Sequence, residues 1–93
     1  MLRIALQAGL SHKNMFYYTY VLKSLKDGKL YVGFSGNLKN RIKEHNNGLV
    51  LATKNRIPFK LVYYEACLIK EKAIEREKGL KIGFGRAYLK RRL

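Results

Sequence analysis

Phe16-Tyr17-Tyr18-Thr19-Tyr20-Val21-Leu22-Lys23-Ser24, then Leu25-Lys26-Asp27-Gly28, then Lys29-Leu30-Tyr31-Val32-Gly33-Phe34, is the stretch that decides the fold. Asp-Gly between two runs of β-branched and aromatic residues is a strong hairpin signal. Side chains alternate across a strand, so a two- or four-residue loop puts even positions of the first run on one face with odd positions of the second. Tyr20 and Tyr31 then project from the same side of the sheet. Gly33, on that side, leaves open space beside them.

Downstream, Ser35-Gly36-Asn37 breaks the second strand, and Asn37 is an N-cap for a helix from Leu38 to about Asn46. Gly48 is the expected left-handed residue that ends it. Leu49 to Ile57 reads as a basic loop closed by Pro58, and Phe59 to Ala66 as a third strand. Ile69 to Lys81 follows as a helix, Gly83-Phe84-Gly85 as a break, and Arg86 to Leu93 as a short basic terminal helix packed through Phe84 and Tyr88. The expectation is an α/β (α+β) domain with a small three-stranded, mainly antiparallel sheet flanked by helices. Upstream, residues 1–14 lack this patterning and read as an N-terminal extension, disordered or arising from a mis-assigned start. Residues 15–93 form the domain, and His12 is given no role.

The 93 residues suffice for one core, and no run is long enough to span a bilayer. The single cysteine, Cys67, excludes an intramolecular disulfide and a cysteine-ligated zinc. It reads as a small buried core residue in a reducing, cytoplasmic setting. Twenty Lys and Arg against six Asp and Glu give a net charge of +14, a field that favours polyanions, nucleic acid first. The basic residues are spread along the chain rather than gathered on one amphipathic helix, which argues against a membrane surface. Lys39, Lys54, Arg56, Arg76 and Arg86 are the expected nucleic-acid contacts. No obligate protein partner is evident.

So few acids leave little to hold a metal, and one faces inward. On the Ile69–Lys81 helix, Ile69, Ala73, Ile74 and Leu80 define an apolar arc at about 100° per residue. Glu77 falls on that arc, whereas Glu71 and Glu75 point away. A carboxylate there needs a metal, a cation or hydrogen bonds to compensate it. On the first helix Leu38 and Ile42 mark the buried stripe. Arg41 and His45, four apart, share its flank, while Lys39 and Lys43 face solvent. Two phenols, a guanidinium, an imidazole and one carboxylate suit phosphodiester cleavage. Arginine holds the phosphate and its transition-state charge, and glutamate can bind one Mg²⁺ or Mn²⁺. A tyrosine or a histidine can relay the proton of water. Two-metal chemistry lacks the carboxylates, zinc lacks the ligands, and the Gly-rich segments lack the signatures of nucleotide-binding loops.

At these residues the chain resembles the GIY-YIG nuclease superfamily, in particular its small stand-alone bacterial branch similar to the N-terminal nuclease domain of the UvrC repair protein. Tyr31-Val32-Gly33 stands for YIG, and Tyr18-Thr19-Tyr20 replaces Gly-Ile-Tyr. Arg41 and His45 sit at the family's offsets from Tyr31, Asn46-Asn47-Gly48 follows, and Ala73-Ile74-Glu75-Arg76-Glu77 matches the helix that supplies the metal-binding glutamate. The resemblance covers residues 16–93. It implies a metal-dependent endonuclease on DNA, rather than RNA, with low sequence specificity, in repair or in processing branched or damaged DNA. Tyr31 would be general base or water-positioning group, supported by Tyr20. Arg41 would bind the scissile phosphate, His45 would assist at the nucleophile, and Glu77 would ligate Mg²⁺ or Mn²⁺. Two features depart from the pattern. Phe34 stands where some members place a polar residue, and no asparagine follows Asn55, leaving Asn46 as a substitute. The alternative function is a non-catalytic DNA- or RNA-binding domain that keeps the nuclease fold.

Overall fold

The computed structural model describes residues 16–93; the expected boundary at residue 14 and His12 lie outside them. Strand β1 (Tyr17–Ser24), strand β2 (Leu30–Ser35) and strand β3 (Phe59–Cys67) form an antiparallel sheet in the order β2-β1-β3. Helix α1 (Leu38–Asn46) lies between β2 and β3 in the chain, and α2 (Lys70–Leu80) and α3 (Gly83–Arg92) follow β3.

The hairpin register pairs Tyr20 with Gly33 and Leu22 with Tyr31, the parity expected from the loop. Gly28 adopts φ 73°, which a side chain would resist, and Lys29 N–H donates to the Asp27 carboxylate at 2.9 Å. The buried Ser24 hydroxyl gathers the turn by accepting from the amides of Lys26 and Asp27, each at 3.1 Å. It also donates to the Arg56 carbonyl at 2.6 Å, tying the hairpin to the 3₁₀ turn Lys54–Arg56.

Each sheet face is covered. Tyr20, Leu22 and Phe59 pack with Leu38 and Ile42 of α1. Val21 and Val32 pack on the other face with Leu80 of α2 and Leu89 of α3. A bulge opposite Val21 and Leu22 lets β3 switch register, so Tyr63 faces Val21 and Leu61 faces Leu22. Asn37 caps α1 as expected, its side chain accepting from the Asn40 amide, and Gly48 has φ 76°.

Several expectations are corrected. Gly83-Phe84-Gly85 is the first turn of α3, and the break falls at Lys81–Ile82. A Cβ at Gly85 would overlap the Gly79 carbonyl and the Leu80 Cα, so this glycine serves close helix packing rather than a turn. Phe84 packs nothing: it is 91% exposed. Tyr88 does pack, bonding Tyr63 at 2.9 Å. Ile69 is an exposed N-cap rather than part of the apolar arc, which Ala73 and Leu80 carry. Cys67 lies near the end of edge strand β3, only partly buried, its thiol donating to the Ile69 carbonyl at 3.2 Å.

Candidate active site

Tyr20 lies on the central strand with its ring laid across Gly33 of the neighbouring edge strand. A Cβ at Gly33 would overlap the Tyr20 Cζ and Oη. The space expected beside the tyrosines is therefore filled by Tyr20 itself. The glycine allows a wholly buried phenol to bring its hydroxyl out towards the β2 edge.

That hydroxyl is 2.8 Å from Nε2 of His45. His45, expected on the helix flank, is instead fully buried on α1. It sits edge-on to Tyr31 with ring centroids 5.1 Å apart, and Tyr20 and Phe59 enclose it at 5.7 and 6.0 Å. Its Nδ1 lies 2.8 Å from the Thr53 hydroxyl, which is itself buried and 3.4 Å from the Val50 carbonyl. A carbonyl only accepts, so Thr53 donates to Val50 and accepts from Nδ1–H. The neutral imidazole then presents the Nε2 lone pair to Tyr20, which donates to it. Arg41 stands close enough to the Tyr20 phenol to pull its pKa down, and a guanidinium only donates. The polar atoms thus form one directed chain, Tyr20 to His45 to Thr53 to Val50, with Arg41 beside its Tyr20 end.

Burial raises the Tyr20 pKa above its ordinary value, and nearby Tyr31 and Glu77 raise it further against the opposing pull of Arg41. The phenol stays protonated at neutral pH. Burial, then the Arg41 charge, push the His45 pKa below its usual value, against a smaller pull from Glu44. Both facts agree with the direction of the chain.

Arg41 is half-exposed and held by Glu44 at 2.8 Å. Glu77, on α2, is 21% exposed and bonds Lys81 at 2.8 Å. It is the acid that the Tyr20 phenol feels from the opposite side of the sheet. Glu77 is thus partly shielded, and the cation it pairs with is the exposed Lys81. No group of three His, Cys, Asp or Glu side chains among the described residues could cage a metal. A single, partly solvated carboxylate nevertheless suits a Mg²⁺-type ion, which takes one or two carboxylates and fills its remaining positions with water and phosphate oxygens. Its present partner is an exposed i,i+4 lysine, an interaction worth only about 0.3–0.5 kcal/mol.

The structure brings Tyr20, Tyr31, Arg41 and His45 together, with Glu77 in their field. The expected nucleic-acid contacts divide. Lys39, Lys54 and Arg86 are exposed. Arg56 bonds Asp27 at 2.8 Å and stacks over Phe59, and Arg76 grips Glu65 at 2.8 and 2.9 Å and lies over Tyr88. Asn46 is also committed, exchanging two hydrogen bonds with the Phe59 backbone, which removes it as a substitute site asparagine. Sequence reading missed Thr53, because a loop hydroxyl has no periodicity to betray it.

Residues 16–89 match the model of the GIY-YIG catalytic domain. The UPF0213 protein of Clostridium perfringens is 48% identical over 65 residues, 69% of this chain and 69% of that protein. A UPF0213 protein of Staphylococcus saprophyticus is 42% identical over 66 residues, 70% of this chain and 79% of that one. No solved structure matches. With the catalytic-domain model matched over residues 16–89 and relatives at 48% and 42% identity, the chain belongs to the GIY-YIG family of nuclease domains.

Proposed function

We propose that this domain is a one-metal endonuclease that hydrolyses phosphodiester bonds of DNA, in preference to RNA, with low sequence specificity. The observation that carries the reading is the Tyr20–His45 hydrogen bond at 2.8 Å, set among Arg41, Tyr31 and Glu77. Arg41, half-exposed on its helix, binds the scissile phosphate and the charge that builds on it. Tyr31 is the more open of the two phenols, so it takes the position of general base or water-orienting group. His45 has both nitrogens bonded and no exposure, so it acts through Tyr20 rather than on water directly. Glu77 would hold Mg²⁺ or Mn²⁺, which when bound supplies Lewis-acid stabilisation of negative charge.

A chain of 93 residues leaves little surface for reading bases, so recognition rests on backbone and shape, as suits branched or damaged DNA in repair or processing. We assign the work to the cytoplasm; no helix among the described residues is long and apolar enough to cross a membrane.

Purified protein with Mg²⁺ or Mn²⁺ should nick supercoiled plasmid, single-stranded DNA or branched DNA. Glu77→Ala and Arg41→Ala should each lower the rate at least about a hundredfold while far-ultraviolet circular dichroism stays unchanged. Variants that cut like the parent would remove this site. A parent that binds with a steep salt dependence yet cuts nothing would leave a non-catalytic binding domain.

A further inference from the structure

A second feature lies beside the site and plays no part in the chemistry above. A groove of about 1400 Å³ runs between the hairpin end of the sheet and α3, larger than the roughly 300–1,000 Å³ of a small-molecule pocket. Its floor is apolar, formed by Leu30, Val32, Val62, Leu80 and Leu89. One wall carries Lys23, Lys29 and Lys60, and the other Arg86 and Lys90. No Asp or Glu lines it.

These five cations are exposed and make no ion pair or side-chain hydrogen bond among the described residues. Arg56 and Arg76, by contrast, are neutralised by Asp27 and Glu65. Five exposed, unpaired cations thus line this one groove, while Lys39, Lys43, Lys54, Lys70, Lys72 and Lys78 are equally unpaired among the described residues outside it. The groove meets the site at the edge of β2: Tyr31, whose ring lies on the opposite sheet face beside His45, borders it, and so does Lys81, the partner of Glu77.

We infer that this groove is the track for the sugar-phosphate backbone of nucleic acid running away from the site. Phosphates sit against the two cation walls, and sugars lie on the apolar floor. The assignment rests on the nuclease reading for its direction, since the strand enters where Tyr31 stands. An acidic peptide would match the charge, but nothing in its chemistry calls for the continuity with Tyr31.

The test is binding without cleavage. Fluorescence anisotropy of a fluorescein-labelled duplex with a single-stranded tail is followed in EDTA across a salt series. The variant Lys29→Gln/Lys60→Gln/Lys90→Gln is compared with Lys43→Gln/Lys72→Gln/Lys78→Gln, which removes equal charge from exposed lysines outside the groove. The groove variant should bind at least about tenfold more weakly near physiological salt. Its slope of log K against log salt should fall by about 1 for each lysine removed, while the control keeps the parent slope. Equal losses in both variants, or displacement by polyglutamate as effective as by polydeoxythymidylate, would overturn the assignment. A parent that binds this way but never cuts would remove the nuclease and leave the groove standing. A groove variant that binds like an actively cutting parent would remove the groove alone.

Discussion

Thr53 decides which nitrogen of His45 carries the proton, and that choice sets the direction of every hydrogen bond at the site. Thr53→Val keeps the shape but leaves Nδ1–H buried without an acceptor, at a cost of about 1–3 kcal/mol, whereas Thr53→Ser should restore most of it. Urea unfolding of the pair separates the hydroxyl from the packing. A pH effect follows from the same ring. The folded domain holds His45 neutral, while the unfolded chain takes up a proton near the ordinary value of about 6.5. The stability is complete above that value and is lost as pH falls through the lower folded value, because the unfolded state then binds more protons. The melting temperature should therefore drop on acidification below about pH 6.5, and His45→Gln should flatten that part of the curve. Gly33 is the other decisive residue. Gly33→Ala forces the buried Tyr20 ring aside, so it should destabilise the domain by about 1–3 kcal/mol and reduce nicking even where the fold survives. From sequence, strand parity placed Tyr20, Tyr31 and Gly33 on one face correctly. That the glycine accommodates Tyr20 depends on a side-chain direction that parity does not contain.

At the scale of elements, the hairpin, α1 and β3 were legible because local signals agreed: Asp-Gly in the turn, Asn37 at the cap, alternating apolar residues in the strands. The C-terminal helices were less so. Gly-Phe-Gly scores as a breaker by intrinsic propensity, since glycine costs about 1 kcal/mol in a helix. Tertiary packing overrides that cost here, because α3 meets the end of α2 so closely that Gly85 faces backbone. His45 was misplaced for a related reason. Helical spacing put it on a flank, but the loop bearing Val50 and Thr53 and the start of β3 close over that flank. Non-local cover leaves no trace in a periodic pattern. The packing of α3 can be tested directly. Gly85→Ala puts a methyl group into the Gly79 carbonyl and should lower stability by about 1–3 kcal/mol or more, with loss of protection in α3 amides by hydrogen exchange. Phe84→Ser, at a site 91% exposed, should change stability by no more than about 0.5 kcal/mol.

For the whole molecule, charge matters in two opposed ways, and one variable separates them. Four of the six acids are held in ion pairs, Asp27, Glu44, Glu65 and Glu77, and with all six counted the net charge is still +14. Self-repulsion of that size destabilises the compact state, and salt screens it over about 10 Å at 0.1 M. The same salt weakens the four ion pairs, but partly exposed pairs contribute only about 0–1 kcal/mol each, so relief of repulsion dominates. Raising ionic strength from about 20 to 200 mM should therefore raise the melting temperature by several degrees, since about 1 kcal/mol corresponds to roughly 4–8 °C in a domain of this size. Binding to nucleic acid must move the other way, because each phosphate neutralised releases a counterion whose entropy gain shrinks with added salt. A calorimetric melt and an anisotropy titration over one salt series would read both signs on a single preparation. A melting temperature that falls with salt would mean that the ion pairs, Arg76–Glu65 and Arg56–Asp27 foremost, outweigh the field of the remaining cations. In that case the excess of lysine and arginine would be balanced within the fold rather than left available to a polyanion.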